Sequence, residues 1–129
     1  VQDVHYVGKI DREIYKCVAK DIQTDEVIIT DKQIQHIIER RGQAFYDKYS
    51  GDFSEIISDP DYIFKDDMDN TAIACRHYDV DGISVNVILR LIVKSENTNY
   101  KNSIITVIGE NDKRFKQRLR NSKAIYKKA

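Results

Sequence analysis

A histidine and an arginine, His36 and Arg40, stand four residues apart in a segment whose apolar spacing predicts a helix. That spacing places both on one helix face, away from the apolar side chains of Ile34, Ile37 and Ile38. A histidine can transfer a proton near neutral pH, and a neighbouring arginine can stabilise the charge of a reacting phosphate. The pair is therefore compatible with acid–base chemistry on a phosphate, and equally with an unused pair on the surface.

A second arginine, Arg90, interrupts the apolar run that predicts a strand over Ile83–Val93. Strand alternation places Arg90 on one face with Ser84 and Asn86, and the larger apolar side chains on the other. A buried guanidinium without a partner is very costly, so Arg90 must face solvent, a paired acid or a cleft that receives an anion.

Two hydroxyl residues, Ser103 and Thr106, could donate hydrogen bonds to a phosphate, although a regular strand would place them on opposite faces. The sequence contains no nucleophile elbow, P-loop, dinucleotide fingerprint or set of metal ligands, and its two cysteines are far apart. Histidine, arginine and hydroxyl groups suffice for metal-free RNA cleavage, in which the 2′-OH of the RNA is the nucleophile. We therefore expect neither a metal nor a cofactor.

Charge is unevenly distributed along a chain of 129 residues whose net charge is zero. Residues 52–69 contain seven acids and one base, whereas residues 101–129 contain nine bases and two acids. The basic segment, which includes Lys101, Arg118 and Lys127, is a candidate surface for a polyanion because screening makes the local field decisive. Alternatively, the acidic and basic segments could bind one another in an oligomer.

The elements that must position these residues follow an α+β pattern. Helices are predicted over Ile14–Ala19, from Asp31 to Arg41–Gly42, and over Ala44–Tyr49, Asp52–Ser58 and Asp112–Arg120. Strands are predicted near Val7–Ile10 and over Glu26–Ile29, Tyr62–Phe64, Thr71–Tyr78, Ile83–Val93, Ser103–Ile108 and Ala124–Tyr126. No apolar stretch is long enough to span a bilayer, and the first residues lack the pattern of a signal peptide.

Several strings, in a fixed order over nearly the whole chain, resemble a known family. They are Asp25–Thr30, His36–Ile37, Glu39–Arg40, Glu55–Ile57, Asp59–Ile63, Asn70–Ala72, Leu89–Leu91, Tyr100–Thr106, Asn121 and Ile125–Lys127. In this order they resemble the phage-type nuclease family of the BECR superfamily, which includes barnase, EndoU, colicin and RelE-like nucleases.

The resemblance implies one domain over 1–129, with a leading segment 1–25 and a nuclease core 26–129. The implied fold has N-terminal helices packed on a four-stranded antiparallel sheet whose exposed face carries the active site. The implied activity is metal-independent cleavage of RNA, tRNA above all, to a 2′,3′-cyclic phosphate. Such domains are C-terminal toxins of secreted effectors, including contact-dependent inhibition systems. They are delivered to the target-cell cytoplasm and neutralised by an immunity protein; a prophage protein of the family would be cytoplasmic.

The resemblance also suggests roles for individual residues. His36 would transfer a proton, Arg40 and Arg90 would clamp the phosphate, and Ser103 or Thr106 would donate hydrogen bonds. Tyr126 would act as an acid or stack on a base. Further substrate contacts are expected from Arg41, His77, Lys101, Asn102, Arg118 and Lys127.

One departure from the family concerns Arg41–Gly42, which stands where the family has His-Pro. If the family's second histidine is catalytic, His36 must act alone or with Tyr126, or His77 could take its place. The alternative is a non-catalytic RNA-binding or prophage structural module of the same fold.

Overall fold

The computed structural model describes residues 3–129 and contains one seven-stranded sheet in the order β1-β2-β6-β5-β4-β3-β7. The strands are β1 (Val4–Lys9), β2 (Glu26–Thr30), β3 (Tyr62–Lys65), β4 (Thr71–Tyr78), β5 (Ile83–Arg90), β6 (Asn102–Asn111) and β7 (Tyr126–Lys127). The helices are α1 (Arg12–Tyr15), α2 (Asp31–Arg41), α3 (Gln43–Tyr49), α4 (Phe53–Ser58) and α5 (Asp112–Asn121), with a 3-10 helix at Ser50–Asp52.

The α+β class is confirmed, but the four-stranded antiparallel sheet is wrong. All seven segments with a strand pattern join one sheet. In addition, β2 and β6 run parallel, with Val27 opposite Asn102 and Ile28 opposite Ser103. Residues 4–15 of the leading segment belong to the same fold: β1 pairs with β2, and the buried Tyr15 hydroxyl donates to the carbonyl of Ile57 at 2.7 Å.

Helix α2 has the predicted ends, and local chemistry explains both. The Thr30 side chain accepts a hydrogen bond from the Gln33 amide, and the Gln33 side chain accepts from the Thr30 amide, which forms a capping box. Gly42 ends the helix with a φ of 97°, a conformation that residues with a side chain rarely adopt.

Helices α1 to α4 cover one face of the sheet and enclose the main core. Strand β5 alternates as predicted: Val85, Val87 and Leu89 enter this core, whereas the side chains between them point to the other face. Burying a side chain of this size stabilises the fold by about 1.5–3 kcal/mol. Strand β5 ends at Arg90, earlier than predicted, and the chain continues as the loop of residues 91–101.

The second face of the sheet is divided into two parts. Helix α5 packs on β3, β4 and the middle of β5, where Phe115 joins a smaller core with Phe64, Ile73, Cys75 and Ile88. We call this part the covered half. The remaining part, formed by β1, β2, the first half of β6 and the end of β5, has no helix over it; we call it the open half.

None of the helices within residues 3–129 is long and apolar enough to cross a membrane.

Candidate functional site

A bulge in β6 decides which side chains share the open half. Ser103 lies opposite Arg90, Ile104 opposite Leu89, and Thr106 opposite Ile88, so Ile105 has no partner in β5. Because Arg90 and Ile88 point to the same face, Ser103 and Thr106 also share that face. The regular-strand expectation, which separated the two hydroxyls, is wrong for this reason.

A row of cross-strand neighbours runs over the open half. Tyr6 lies opposite Ile28, Ile28 opposite Ser103, and Ser103 opposite Arg90. Neighbouring strands are about 4.8 Å apart, so the row extends over roughly 14 Å. It joins an exposed aromatic ring at the sheet edge to a cation near the middle.

Beside this row lies a groove of about 580 Å³, which we call the open-face groove. Its lining residues are Val4, Ile28, Thr30, Gln33, Ile92, Asn99, Tyr100, Lys101 and Ser103. Val4 and Tyr100 are 56% and 57% exposed, and Tyr6 next to the groove is 60% exposed. The groove therefore combines an apolar floor with exposed aromatic and polar side chains.

Of the three environments that the sequence left open for Arg90, the structure shows a paired acid. Its Nη2 lies 2.5 Å from Oε1 of Glu96, and its Nη1 donates to the carbonyl of Leu91. The other Glu96 oxygen accepts from the Val93 amide at 2.8 Å; this bond and the arginine together lower the pKa of Glu96. The Arg90 side chain remains 29% exposed, so solvent reaches it beside Ser103.

Two further side chains near Arg90 and Ser103, those of Lys101 and Thr106, differ in their contacts. Lys101 forms an ion pair with Glu26 at the edge of the groove. The Thr106 hydroxyl is buried and has no hydrogen-bond partner within residues 3–129. A buried hydroxyl without a partner costs free energy, but this oxygen is not accessible to solvent and lies beside Ile88, so a ligand would reach it only after neighbouring side chains move.

Asn102 does not have the substrate-binding position expected for it. It is fully buried, its Oδ1 accepts from the Ile92 amide, and its Nδ2 donates to the carbonyl of Thr24, both at 2.8 Å. Its amide holds the 91–101 loop against the sheet, so a substrate could reach it only by displacing that loop.

His36 and Arg40 lie on α2, along a stripe that begins at the open-face groove. Gln33 lines the groove, and His36 and Arg40 follow it at i+3 and i+7 on the same helix face. A helix rises 1.5 Å per residue, so the two lie about 4.5 and 10 Å further along the axis. Within residues 3–129 neither side chain forms a hydrogen bond or ion pair, and neither contacts Arg90 in this way.

Arg41, in contrast, is part of the scaffold. Its Nε donates to the carbonyl of Val107 at 3.0 Å, which ties the end of α2 to β6. Arg41, which stands where the family that the sequence resembles has histidine, therefore has a structural contact here.

The other predicted residues lie in or beyond the covered half. Arg118 forms a two-point ion pair with the buried Glu110, at 2.7 and 3.0 Å, and this pairing raises the pKa of Arg118. Asn86 donates to the same carboxylate at 3.0 Å. The guanidinium of Arg118 is thus already occupied by a protein carboxylate.

His77 lies between two carboxylates and against an aromatic ring. Its ring nitrogens are 2.8 Å from Asp79 and 2.9 Å from Asp112, and its ring stacks on Phe115 with centroids 4.6 Å apart. Lys127 lines the same pocket, of about 400 Å³. These two residues form a group separate from the open half.

Tyr126 is separated from Arg90 by both distance and face. It lies in the edge strand β7, opposite Ile63, and packs on the helix-side core. Three strand spacings, about 14 Å, separate β7 from β5. The structure therefore does not bring Tyr126 to the open half, where its predicted role would require it.

Sequence reasoning missed Tyr6, Ile28, Glu96 and Tyr100. The alternation of Val4 and Tyr6 along β1 was a detectable signal, whereas the contact between Glu96 and Arg90 depends on a loop conformation that no local pattern specifies. Cys17 and Cys75 are both free, the first exposed and the second buried.

No group of three or more histidine, cysteine, aspartate or glutamate side chains within residues 3–129 is arranged to hold a metal ion. Comparison of the chain with protein-family models, with curated proteins and with solved structures finds no significant match.

Proposed function

We propose that this chain is a metal-independent endoribonuclease, a toxin domain of the phage-type nuclease kind whose substrate is tRNA. The observation that carries the proposal is the β6 bulge, which places Ser103 and Thr106 on the same open sheet face as Arg90. The Arg90 guanidinium and the Ser103 hydroxyl can bind a phosphate from this face, with Thr106 as a further donor once neighbouring side chains move, and charge-assisted bonds of this kind stabilise a reacting phosphate.

Apart from the RNA, the proposed reaction requires only a base, an acid and the cation and hydroxyl groups that bind the phosphate. The RNA 2′ oxygen attacks the adjacent phosphorus and gives up its proton to a base, while the P–O5′ bond breaks and an acid protonates the 5′ oxygen. The products are a 2′,3′-cyclic phosphate and a 5′-hydroxyl. We assign a proton transfer to His36, which lies on α2 across the sheet from Arg90, so the RNA must pass over the end of the sheet at Gln33 for its reacting phosphate to reach this side chain.

The exposed surface of α5 supports an RNA partner. Lys113, Arg114, Lys116 and Arg120 are exposed and form no ion pair within the described part of the chain. Only Lys128, further along, pairs with the acidic segment, through Asp59 at 2.7 Å. The acidic and basic segments thus cancel in the total charge without cancelling locally, which leaves a cationic surface for the RNA backbone.

The same surface suggests how the toxin would be neutralised. An immunity protein with an acidic surface could bind α5 and block the RNA path, as expected for a domain delivered by a larger effector to a target-cell cytoplasm.

A non-catalytic RNA-binding module is the second candidate, and one contact favours it. Arg90 is already paired with Glu96, and no histidine within residues 3–129 contacts Arg90. Such a module would bind RNA on the same surfaces and leave it intact.

Cleavage of purified tRNA in EDTA separates the two candidates. We expect the wild-type chain to release fragments that end in a 2′,3′-cyclic phosphate. The His36→Ala variant should abolish detectable cleavage, a loss of at least about 100-fold, because general acid–base catalysis contributes that much or more.

The matched control is His5→Ala, since the ring of His5 in β1 is already paired with Asp31 of α2, whereas His36 has no such partner within residues 3–129. This variant should cleave at the wild-type rate. Intact tRNA after incubation with the wild type would overturn the ribonuclease and favour the binding module; full cleavage by His36→Ala would overturn the role of His36.

A further inference from the structure

The open-face groove has the shape and chemistry of a site for one flat, partly polar ring. Ile28 and Ile92 supply apolar contact from below, and Tyr100 stands beside them with its ring largely in solvent. Exposed apolar side chains of this size are usually isolated on a protein surface. Here the exposed Val4 and Tyr100 line the same groove as Ile28 and Ile92, and such clustering marks a binding site.

Hydrogen bonds hold the backbone at Tyr100 in place without a ligand. Gln23 donates from Nε2 to the carbonyls of Asn97 and Tyr100, at 2.8 and 3.2 Å, and the Tyr100 amide donates to Asn97 at 3.0 Å. The buried Asn102 holds the other end of the same loop through Ile92. A preordered loop backbone reduces the conformational entropy lost when the Tyr100 ring contacts a ligand.

Polar side chains at the rim of the groove are available to hydrogen-bond the edge of a bound ring. Gln33 is held by its oxygen, which accepts from the Thr30 amide and hydroxyl at 3.0 and 3.1 Å. Its amide nitrogen donates to no acceptor within residues 3–129 and remains able to bind an edge oxygen or ring nitrogen. Asn99 and Ser103 add further polar groups.

We call Arg90, Ser103 and Thr106 the phosphate cluster. The groove adjoins it, because Ser103 lines the groove and is the cross-strand neighbour of Arg90. A ligand with a flat base and a phosphate one linkage away would engage both features. In a duplex the base faces are already stacked and cannot reach such a floor, whereas an unpaired strand presents them.

From these contacts we infer that the open-face groove binds a nucleobase of a single-stranded RNA segment, stacked on Tyr100 above Ile28. This inference rests on the proposed ribonuclease function and names the part of the substrate that the domain grips: an unpaired stretch such as a loop or a 3′ end.

Binding of a 2′-O-methyl RNA 12-mer tests the inference, because that probe lacks the free 2′-OH and cannot be cut. Fluorescence anisotropy should show the single strand binding more tightly than its blunt duplex. Tyr100→Ala should weaken single-strand binding by about 5- to 150-fold, since one base–aromatic stack contributes about 1–3 kcal/mol. Tyr100→Phe should stay within about twofold because it keeps the ring.

The control is Val80→Ala, since Val80 is fully exposed in the turn between β4 and β5, at the opposite end of these strands from Arg90 and the groove. Equal binding by wild type and Tyr100→Ala, equal binding of duplex and single strand, or no binding of the single strand would each overturn the site. A chain that binds through Tyr100 yet cuts no tRNA keeps the base site and overturns the ribonuclease. Cleavage that Tyr100→Ala leaves unchanged in rate and position keeps the ribonuclease and overturns the base site.

Discussion

The covered and open halves of one sheet face contain similar residue types in opposite situations. In the covered half, Arg118 is bound at two points to Glu110, and Phe115 shields the surrounding strands. In the open half, Arg90 has one carboxylate partner, and the Thr106 hydroxyl has none within the described residues. Residue type alone therefore does not separate scaffold from site. Within residues 3–129, oxygens without a hydrogen-bond partner occur in both halves, on Ser84 and Asn86 as well as on Thr106; what differs is whether a helix covers the arginine and its ion pair.

The largest difference should appear in thiol reactivity. Burial under α5 raises the pKa of Cys75 to about 12, whereas Cys17 is exposed. Partial burial also raises the pKa of Cys17, and because the thiolate is the reactive form, Cys75 should react at pH 8 at least about 100-fold more slowly than Cys17. Peptide mapping after a timed reaction with iodoacetamide measures both rates. Comparable labelling of the two would mean that α5 does not cover the sheet.

The second largest effect is expected when the arginine of the buried Arg118–Glu110 ion pair is removed. Arg118→Ala leaves the Glu110 carboxylate buried with Asn86 alone, so the free energy of unfolding should fall by about 2–3 kcal/mol. Lys116→Ala, two residues earlier and on the other, exposed side of α5, should change it by less than about 0.5 kcal/mol. Urea denaturation of both variants checks the comparison. A small effect of Arg118→Ala would contradict a structural role for the pair.

Arg90 and Arg76 are comparable arginines on opposite faces of the sheet. Both are strand arginines bound to a glutamate, Arg90 to Glu96 on the open face and Arg76 to Glu55 on the helix face at 2.9 Å. Arg90→Ala should reduce tRNA cleavage by roughly 100-fold, because it removes the cation from the phosphate cluster. Arg76→Ala should leave cleavage per folded molecule unchanged. Equal losses in initial rate would contradict a special role for the open half.

The smallest effect concerns Glu96. Glu96→Gln keeps an acceptor for the Val93 amide but removes the negative charge from Arg90, so the 2′-O-methyl RNA 12-mer should bind several-fold more tightly. Anisotropy titration at fixed salt measures the change. Weaker binding by this variant would show that Glu96 positions Arg90 for the phosphate and does not compete with it.

The same variant has a pH signature. The pKa of Glu96 is lowered from 4.5 by the Val93 amide and then by Arg90. A carboxyl with a depressed folded-state pKa stabilises the fold above its unfolded pKa, and that contribution is lost as pH falls through the folded value. The stability advantage of the wild type over Glu96→Gln should thus be constant above about pH 5 and shrink below pH 4.5. Urea denaturation of both chains between pH 6 and 3 measures it; a constant difference would contradict the coupling.

Local pattern predicted most elements of this fold. Strand β4 has its predicted ends, the alternation of β5 separates core from open face, and the caps of α2 lie at Thr30 and Gly42. Each of these features depends on residues within one or two turns or strand repeats, where propensity and side-chain chemistry act directly.

The site was less predictable because it depends on long-range pairing. The bulge at Ile105 exists only relative to β5, and no glycine marks it. The face of Tyr126 is set by the register of a two-residue strand against β3, and the burial of Asn102 by a loop that packs over it. Arg90, Ser103 and Thr106 could therefore be named from the sequence, but their common face could not.

The parallel pairing of β2 with β6 has a consequence for how the molecule assembles. Strands β3 to β6 are joined antiparallel to their neighbours along the chain, whereas Val27 must find Asn102 after the intervening residues are in place. Closing so long a loop slows the step, so we expect the β1–β2 pair to dock last during folding. The open-face groove lies across that joint. A molecule in which β2 has not yet paired with β6 would consequently have no groove. It would become active only after this slow pairing step.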